Sequence, residues 1–343
     1  MCFKILVDNK WYFKMKYLSR AKNDFNSQKL LVGQEWSARV MFNLYSASLS
    51  TGQPVQDVQH RPSNCTQFST ANIYSSCDGL VLLGVVSHYR NQLILWNPST
   101  RESTELVLPC SGFRLQEATF GLAYDTNSND YRILKVNKDG QLQQSIEILT
   151  LKGGSWRSIY NNPTTIHPYR DEGLLMGPVV FVRGTFYWLG HSHNFSVVSF
   201  STLNEVYRDI PLLDRIYRVV DPKQSSGYGI SVLEGMFCFY STHNYHWDRC
   251  TTFQLWGMKN YGVAESWTEL FTLHAPDIDF ARPKYRYADG EVLLCCRLDM
   301  ARGGRGGDEF RTTKGKFGSL WPQSYFQNGI IYTEGLISPK LLI

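Results

Sequence analysis

Charge is sparse in this chain: only 19% of its 343 residues are Asp, Glu, Lys or Arg, below the ~25% of an average globular domain. With 43% apolar residues it has the material for a core and does not read as a disordered polyelectrolyte. Long hydrophobic runs are missing too. Nothing approaches the ~18 apolar residues of a membrane-spanning helix, so no membrane partner is expected. The opening Met1-Cys2-Phe3-Lys4-Ile5-Leu6-Val7 is too short an apolar stretch for a secretory signal. None of the eight Cys forms a C-x-x-C pair. They read as reduced thiols of a protein of the cytoplasm and/or nucleus, and Asn64-Cys65-Thr66 and Asn194-Phe195-Ser196 as chance sequons. Catalytic phrases are lacking as well: no G-x-S-x-G, no phosphate-binding glycine loop ending in Lys, no H-E-x-x-H. Asp277 and Asp279 are read as lying in a connector, with no catalytic role. His191/His193 and His243/His246 have no Cys or carboxylate at ligand spacing. The reading is therefore no catalytic residue, no metal and no cofactor.

Basic residues gather near the two ends. Residues 1–39 hold eight Lys and Arg against three Asp and Glu, and residues 282–316 hold nine against five. Two mild patches do not make a nucleic-acid footprint. Arg302-Gly303-Gly304-Arg305-Gly306-Gly307 lacks the interleaved aromatics that stack on bases, so nucleic acid is not an expected partner.

What the chain has in abundance is aromatic residues (14%) and short apolar runs separated by tight polar turns. Over 179–212, four runs follow one another through Arg183-Gly184, the loop at 190–194 and the turn at 201–204. That is an antiparallel meander. First-turn glycines stand at 79, 184, 235 and 290. The later intervals are 51 and 55 residues, and the first is about twice as long, with a further copy turning near Asn129. A four-stranded repeat of ~50 residues is the period of propeller blades of the kelch length class. The expected fold is an all-β propeller of about six blades, occupying 36–343. Residues 39–45 and 330–338 would supply closing strands. Residues 1–35 contain a Gly- and Pro-poor, basic segment whose apolar positions recur at helical spacing, and are read as one or two helices and a linker outside the ring.

Five ordered phrases resemble a known family. They are Ser76-Cys77-Asp78-Gly79-Leu80, Leu95-Trp96-Asn97-Pro98-Ser99-Thr100-Arg101, Phe120-Gly121-Leu122-Ala123-Tyr124-Asp125 with Asp130-Tyr131-Arg132, Ser155-Trp156-Arg157, and the run from Trp256 through Glu265-Ser266-Trp267 to Leu270. The chain resembles plant F-box proteins that carry the F-box-associated, kelch-like interaction domain. The resemblance implies the substrate-recognition subunit of a Skp–cullin–F-box ubiquitin ligase, itself non-catalytic, with a Skp-type adaptor, a cullin ligase and an unknown target protein as partners. Residues 3–12 are similar to the end of an F-box, whose Leu-Pro-rich first half is not seen here. The resemblance places adaptor contacts at Phe3, Ile5, Leu6 and Trp11. An adaptor-free propeller that shields its target, and a propeller enzyme, are the competing readings.

The recurring phrases themselves read as scaffold. Asn97 caps the amides of its own Pro-containing turn, and Trp96 packs against a neighbouring blade. Partner contacts are expected in the loops between second and third strands, at 87–92, 137–144, 190–194, 241–249 and 299–309. These carry Tyr89, Arg90, His191, His193, His243, Tyr245, His246, Trp247, Arg302 and Arg305. Aromatic and Arg side chains on loops of a rigid frame are what protein recognition uses.

Overall fold

A computed structural model describes residues 2–36, 41–51, 70–86, 90–109, 113–137, 146–159, 167–168, 178–191, 195–212, 216, 225–245, 250–298, 308–316 and 326–343. One helix, α1 (Cys2–Asn23), precedes the strands. It contains no Gly or Pro and carries Arg20 and Lys22 in its last turn, where cations oppose the negative end of the helix dipole. After it come six antiparallel sheets, the blades of a β-propeller.

The first unit, residues 1–115, 151–155 and 318–343, holds two of these sheets. In one, β1 (Gln28–Trp36) lies between β2 (Met41–Ser48) and a strand from the far end of the chain, Phe326–Thr333. The other runs in order through β3 (Thr70–Cys77), β4 (Leu80–Val86), β5 (Asn91–Asn97) and β6 (Glu102–Leu106). Residues 1–35 are expected to be helix and linker. Instead Leu30, Leu31 and Val32 are buried, and β1 is the middle strand of its sheet. Its apolar run is too short to signal a strand without knowledge of the two neighbours that cover it.

The second unit, residues 116–150 and 156–317, holds four sheets. β7 (Ala118–Asp125), β8 (Asp130–Asn137), β9 (Ile146–Thr150) and β10 (Ser155–Ile159) form a meander. The next sheet contains β11 (His167–Pro168), β12 (Val180–Val182), β13 (Thr185–His191), β14 (Phe195–Ser201) and β15 (Tyr207–Pro211), with β11 and β12 both pairing with β13. Then come β16 (Ser225–Leu233), β17 (Met236–Tyr245), β18 (Cys250–Met258) and β19 (Trp267–His274). The last comprises β20 (Ile278–Arg286), β21 (Val292–Leu298), β22 (Asp308–Thr312) and β23 (Gly315–Lys316). The strand from the far end of the chain is β24. Six blades agree with the repeat count. Among the described residues one has three strands and one has five, where four were expected of each.

The blades bury their faces against one another. Trp96 and Val81 of the β3–β6 sheet share a cluster with Leu31, Leu44 and Tyr332 of the first sheet. Leu134 and Ile148 pack with Phe186 and Phe200. Val197 and Ile210 pack with Phe237 and Trp267, and Phe253 and Leu255 with Phe280 and Leu294. Each of these clusters is shared between sheets, as the stacking of repeats requires. The first turns have positive φ at Asp78 (55°), Asn129 (52°), Arg183 (48°) and Glu234 (48°). Those at 78–79, 183–184 and 234–235 are two-residue turns, which match the twist of the flanking strands, whereas Asn129 ends a four-residue connection between Asp125 and Asp130.

Candidate partner-binding surfaces

α1 offers the first surface. Leu18 and Ala21, three residues apart, are buried. Tyr12 is 67% exposed, Phe13 62% and Tyr17 36%. Together with exposed Lys16 and Arg20 they occupy positions 12, 13, 16, 17 and 20, one stripe at helical spacing. The Lys16 ammonium stands 6.0 Å from the Tyr12 ring centroid. Phe25, just past the helix, is also exposed. Large exposed apolar groups that cluster in this way mark interaction surfaces. The sequence reading missed this stripe, although its spacing was visible; what was not visible was which face the sheets cover. Phe3, Ile5, Leu6 and Trp11 all lie in α1, with side chains outside the described residues.

The helix does not hang on a tether. Asp24 accepts from the Asn26 amide at 3.0 Å and from the Ser27 hydroxyl at 2.9 Å. The Gln28 amide donates to the Ala21 carbonyl at 3.2 Å and accepts from Thr333 Oγ1 at 3.1 Å. Lys22 Nζ lies 2.5 Å from Asp78 Oδ1.

The strand connections within each unit are further candidate surfaces. Register fixes their length. Tyr245 pairs with Cys250, leaving 246–249 to connect β17 and β18. His191 pairs with Phe195, leaving 192–194. Val86 pairs with Asn91, leaving 87–90. In each sheet this connection leaves from the end opposite the first turn. Arg90 donates to Glu105 Oε1 at 2.7 Å, and Gln92 to Glu105 Oε2 at 2.9 Å. His191 is the last residue of β13 and pairs with His167 as well. Tyr245 is the last residue of β17. Tyr89, His193, His246, Trp247, Arg302 and Arg305 lie outside the described residues.

His243 requires a correction. The sequence reading placed it in a loop at 241–249. It lies inside β17 and is 2% exposed. The strand runs on to Tyr245 because Ser241, Thr242 and His243 continue the ladder with Gln254, Phe253 and Thr252. Polar residues that look like a loop become buried when a hairpin outlasts its apolar run.

Several described ionisable groups hold the sheets together. Burial pushes the Asp125 carboxyl up, but the Ser128 hydroxyl, the Asn127 amide and the Arg132 guanidinium together hold it below its ordinary value. Arg132 reaches Asp125 at 2.6 Å and the Thr202 carbonyl at 3.0 Å, tying the β7–β10 sheet to the β13–β15 sheet. Glu205 receives Arg157 in two hydrogen bonds. Burial pushes the Cys238 thiol up to about 12, so it carries almost no thiolate at neutral pH, and thiols react as thiolates. Among the described residues no three His, Cys, Asp or Glu side chains gather as a metal site would require, and no helix is long and apolar enough to cross a membrane.

A profile of the F-box associated beta propeller domain matches residues 37–305. F-box protein At3g07870 of Arabidopsis thaliana is 28% identical over 225 residues, which is 59% of this chain and 51% of that protein. F-box protein CPR1 of Arabidopsis thaliana is 25% identical over 287 residues, 75% of this chain and 65% of that protein. The chain thus spans about half to two thirds of these relatives' length. TolB from Acinetobacter baumannii superposes with a TM-score of 0.54 over 90% of this chain and 67% of its own, at 11% identity, a likeness of fold alone. With a profile match over most of its length and six blades in register, the chain belongs to the F-box associated β-propeller domain family.

Proposed function

We propose that this chain is the substrate-recognition subunit of a Skp–cullin–F-box ubiquitin ligase. Membership of the F-box associated family, with relatives that are themselves named F-box proteins, carries the reading. In it the blades hold a target protein through the connections between second and third strands, and α1 faces the Skp-type adaptor. Bond-making belongs to the ubiquitin-conjugating enzyme, and this chain supplies proximity and orientation. The exposed aromatic and cationic stripe of α1 supports the adaptor side. Rigid sheets presenting short connections support the target side.

The test is reconstitution of the purified chain with a plant Skp adaptor, cullin and ubiquitin-conjugating enzyme. Stoichiometric co-elution with the adaptor, and ubiquitin transfer to a crosslinked target, are the expected results. No adaptor binding by the full-length protein overturns the ligase reading. A target that is bound and protected from ubiquitin transfer replaces it with the shielding one.

A further inference from the structure

Two distant parts of the chain converge on one two-residue turn. Asp78 and Gly79 join β3 to β4, both at positive φ. Asp78 holds the end of α1: its carboxylate, 5% exposed, sits 2.5 Å from Lys22 Nζ. Gly79 carries the C-terminal tail. A Cβ on Gly79 would stand 2.9 Å from Gly335 Cα and 3.0 Å from the Thr333 carbonyl oxygen, and a Cβ on Gly335 would stand 3.0 Å from the Asp78 carbonyl oxygen. Backbone lies against backbone here, so neither side yields as a flexible side chain would.

The tail is pinned from the other side by Asn97. This fully buried amide donates to the carbonyls of Gly335 at 3.1 Å and Ile337 at 2.8 Å. Ser99 Oγ accepts from the Gly335 amide at 3.3 Å. The corner between α1 and β1 is also bonded to the strand before the tail. The Glu334 amide donates to the Ser27 carbonyl at 2.8 Å, and Gln28 bridges Ala21 and Thr333.

We propose that the Asp78-Gly79 turn couples the seating of α1 to the seating of the C-terminal tail, so that releasing either one loosens the other. Asp78 and Gly79 are consecutive, and a shift of the turn that accommodates a displaced tail moves the carboxylate away from Lys22. The device is reciprocal, as any coupling between two sites must be. Its consequence for a ligase, control of α1 from the opposite chain terminus, rests on the reading that α1 faces an adaptor. The coupling itself does not.

Hydrogen exchange read by peptide on the purified full chain tests it. Gly335→Val crowds the tail off the turn, and Lys22→Glu sets like charges together at α1. We expect Gly335→Val to speed exchange in residues 12–23 by roughly tenfold or more, a local opening, with β8 and β17 unchanged. Lys22→Glu is expected to do the same in 334–343, and Lys22→Arg to restore the native rate. Ser99→Ala removes one hydrogen bond to the tail without a steric change and gives the same pattern in weaker form if Gly335→Val does not fold. Faster exchange confined to each variant's own segment overturns the proposal, as does a uniform rise across all blades. Adaptor binding is scored separately, so a chain that shows the coupling but binds no adaptor refutes the proposed function and leaves this inference standing.

Discussion

Asn97 shows how one side chain can hold a turn and a terminus together. Its amide donates to two tail carbonyls, and its oxygen accepts from the amides of Ser99 at 2.8 Å and Thr100 at 3.2 Å. Asn97→Ala leaves all four partners unsatisfied, and buried unpaired groups cost about 1–3 kcal/mol each before relaxation. We expect a net loss of about 2–4 kcal/mol, read from the denaturant midpoint at constant m. Asp125 makes a pH-dependent contribution. Its folded pKa is depressed, so its stabilisation is full above the unfolded value of ~3.9 and is lost as pH falls through the folded value. Asp125→Asn is therefore destabilising at pH 7, and the gap to wild type narrows below pH ~4; urea melts at both pH values decide it. The turn half of Asn97's role was legible, because Asn before Pro-Ser-Thr caps its own amides. The tail half was not, because Gly335 is more than two hundred residues away in sequence and no local pattern encodes it.

At the scale of elements, strands and their turns were the most readable features. Alternating apolar runs and Gly turns are local signals, and they located strands from β4 to β21. α1 was read only in outline, as one or two short helices, where the fold makes a single helix of 22 residues. Helical spacing reveals faces, but only the sheets beneath show that Leu18 points in and Phe13 points out. Phe13→Ser together with Tyr17→Ser should leave the unfolding free energy within about 0.5 kcal/mol of wild type, as surface changes usually do. On the proposed function the same double variant weakens adaptor binding at least tenfold by titration calorimetry. The connection at 246–249 is a second element-scale test. Replacing it with Gly-Ser-Gly-Ser keeps β17 and β18 paired, since register ends at Tyr245 and Cys250. It should remove crosslinks to a target while leaving the thermal midpoint within a few degrees.

For the whole molecule, the pairing of β24 with β1 is what joins the two ends of the chain. Six registered residue pairs link them, from Gln28↔Thr333 to Gln34↔Phe326, and Ser76 donates to the Ile331 carbonyl at 2.6 Å. A chain ended at residue 325 should lose protection throughout β1 and β3, seen as new protease cleavage in 28–36. A synthetic peptide spanning 326–343, added in trans, should restore it. The sequence reading recognised that both ends contribute closing strands but put the tail's strand at 330–338, later than it runs. Its register depends on β1, which that reading had left in the linker.

That pairing also sets a clock during synthesis. β1 emerges well before β24, with nearly three hundred residues between them. At a ribosomal rate of ~5–20 residues per second the gap is roughly 15–60 s. Throughout that interval one flank of an apolar strand offers bare amides and carbonyls to any passing strand. Yield in the cell should therefore track how well holding chaperones occupy nascent chains, more closely than it tracks the stability of the finished protein.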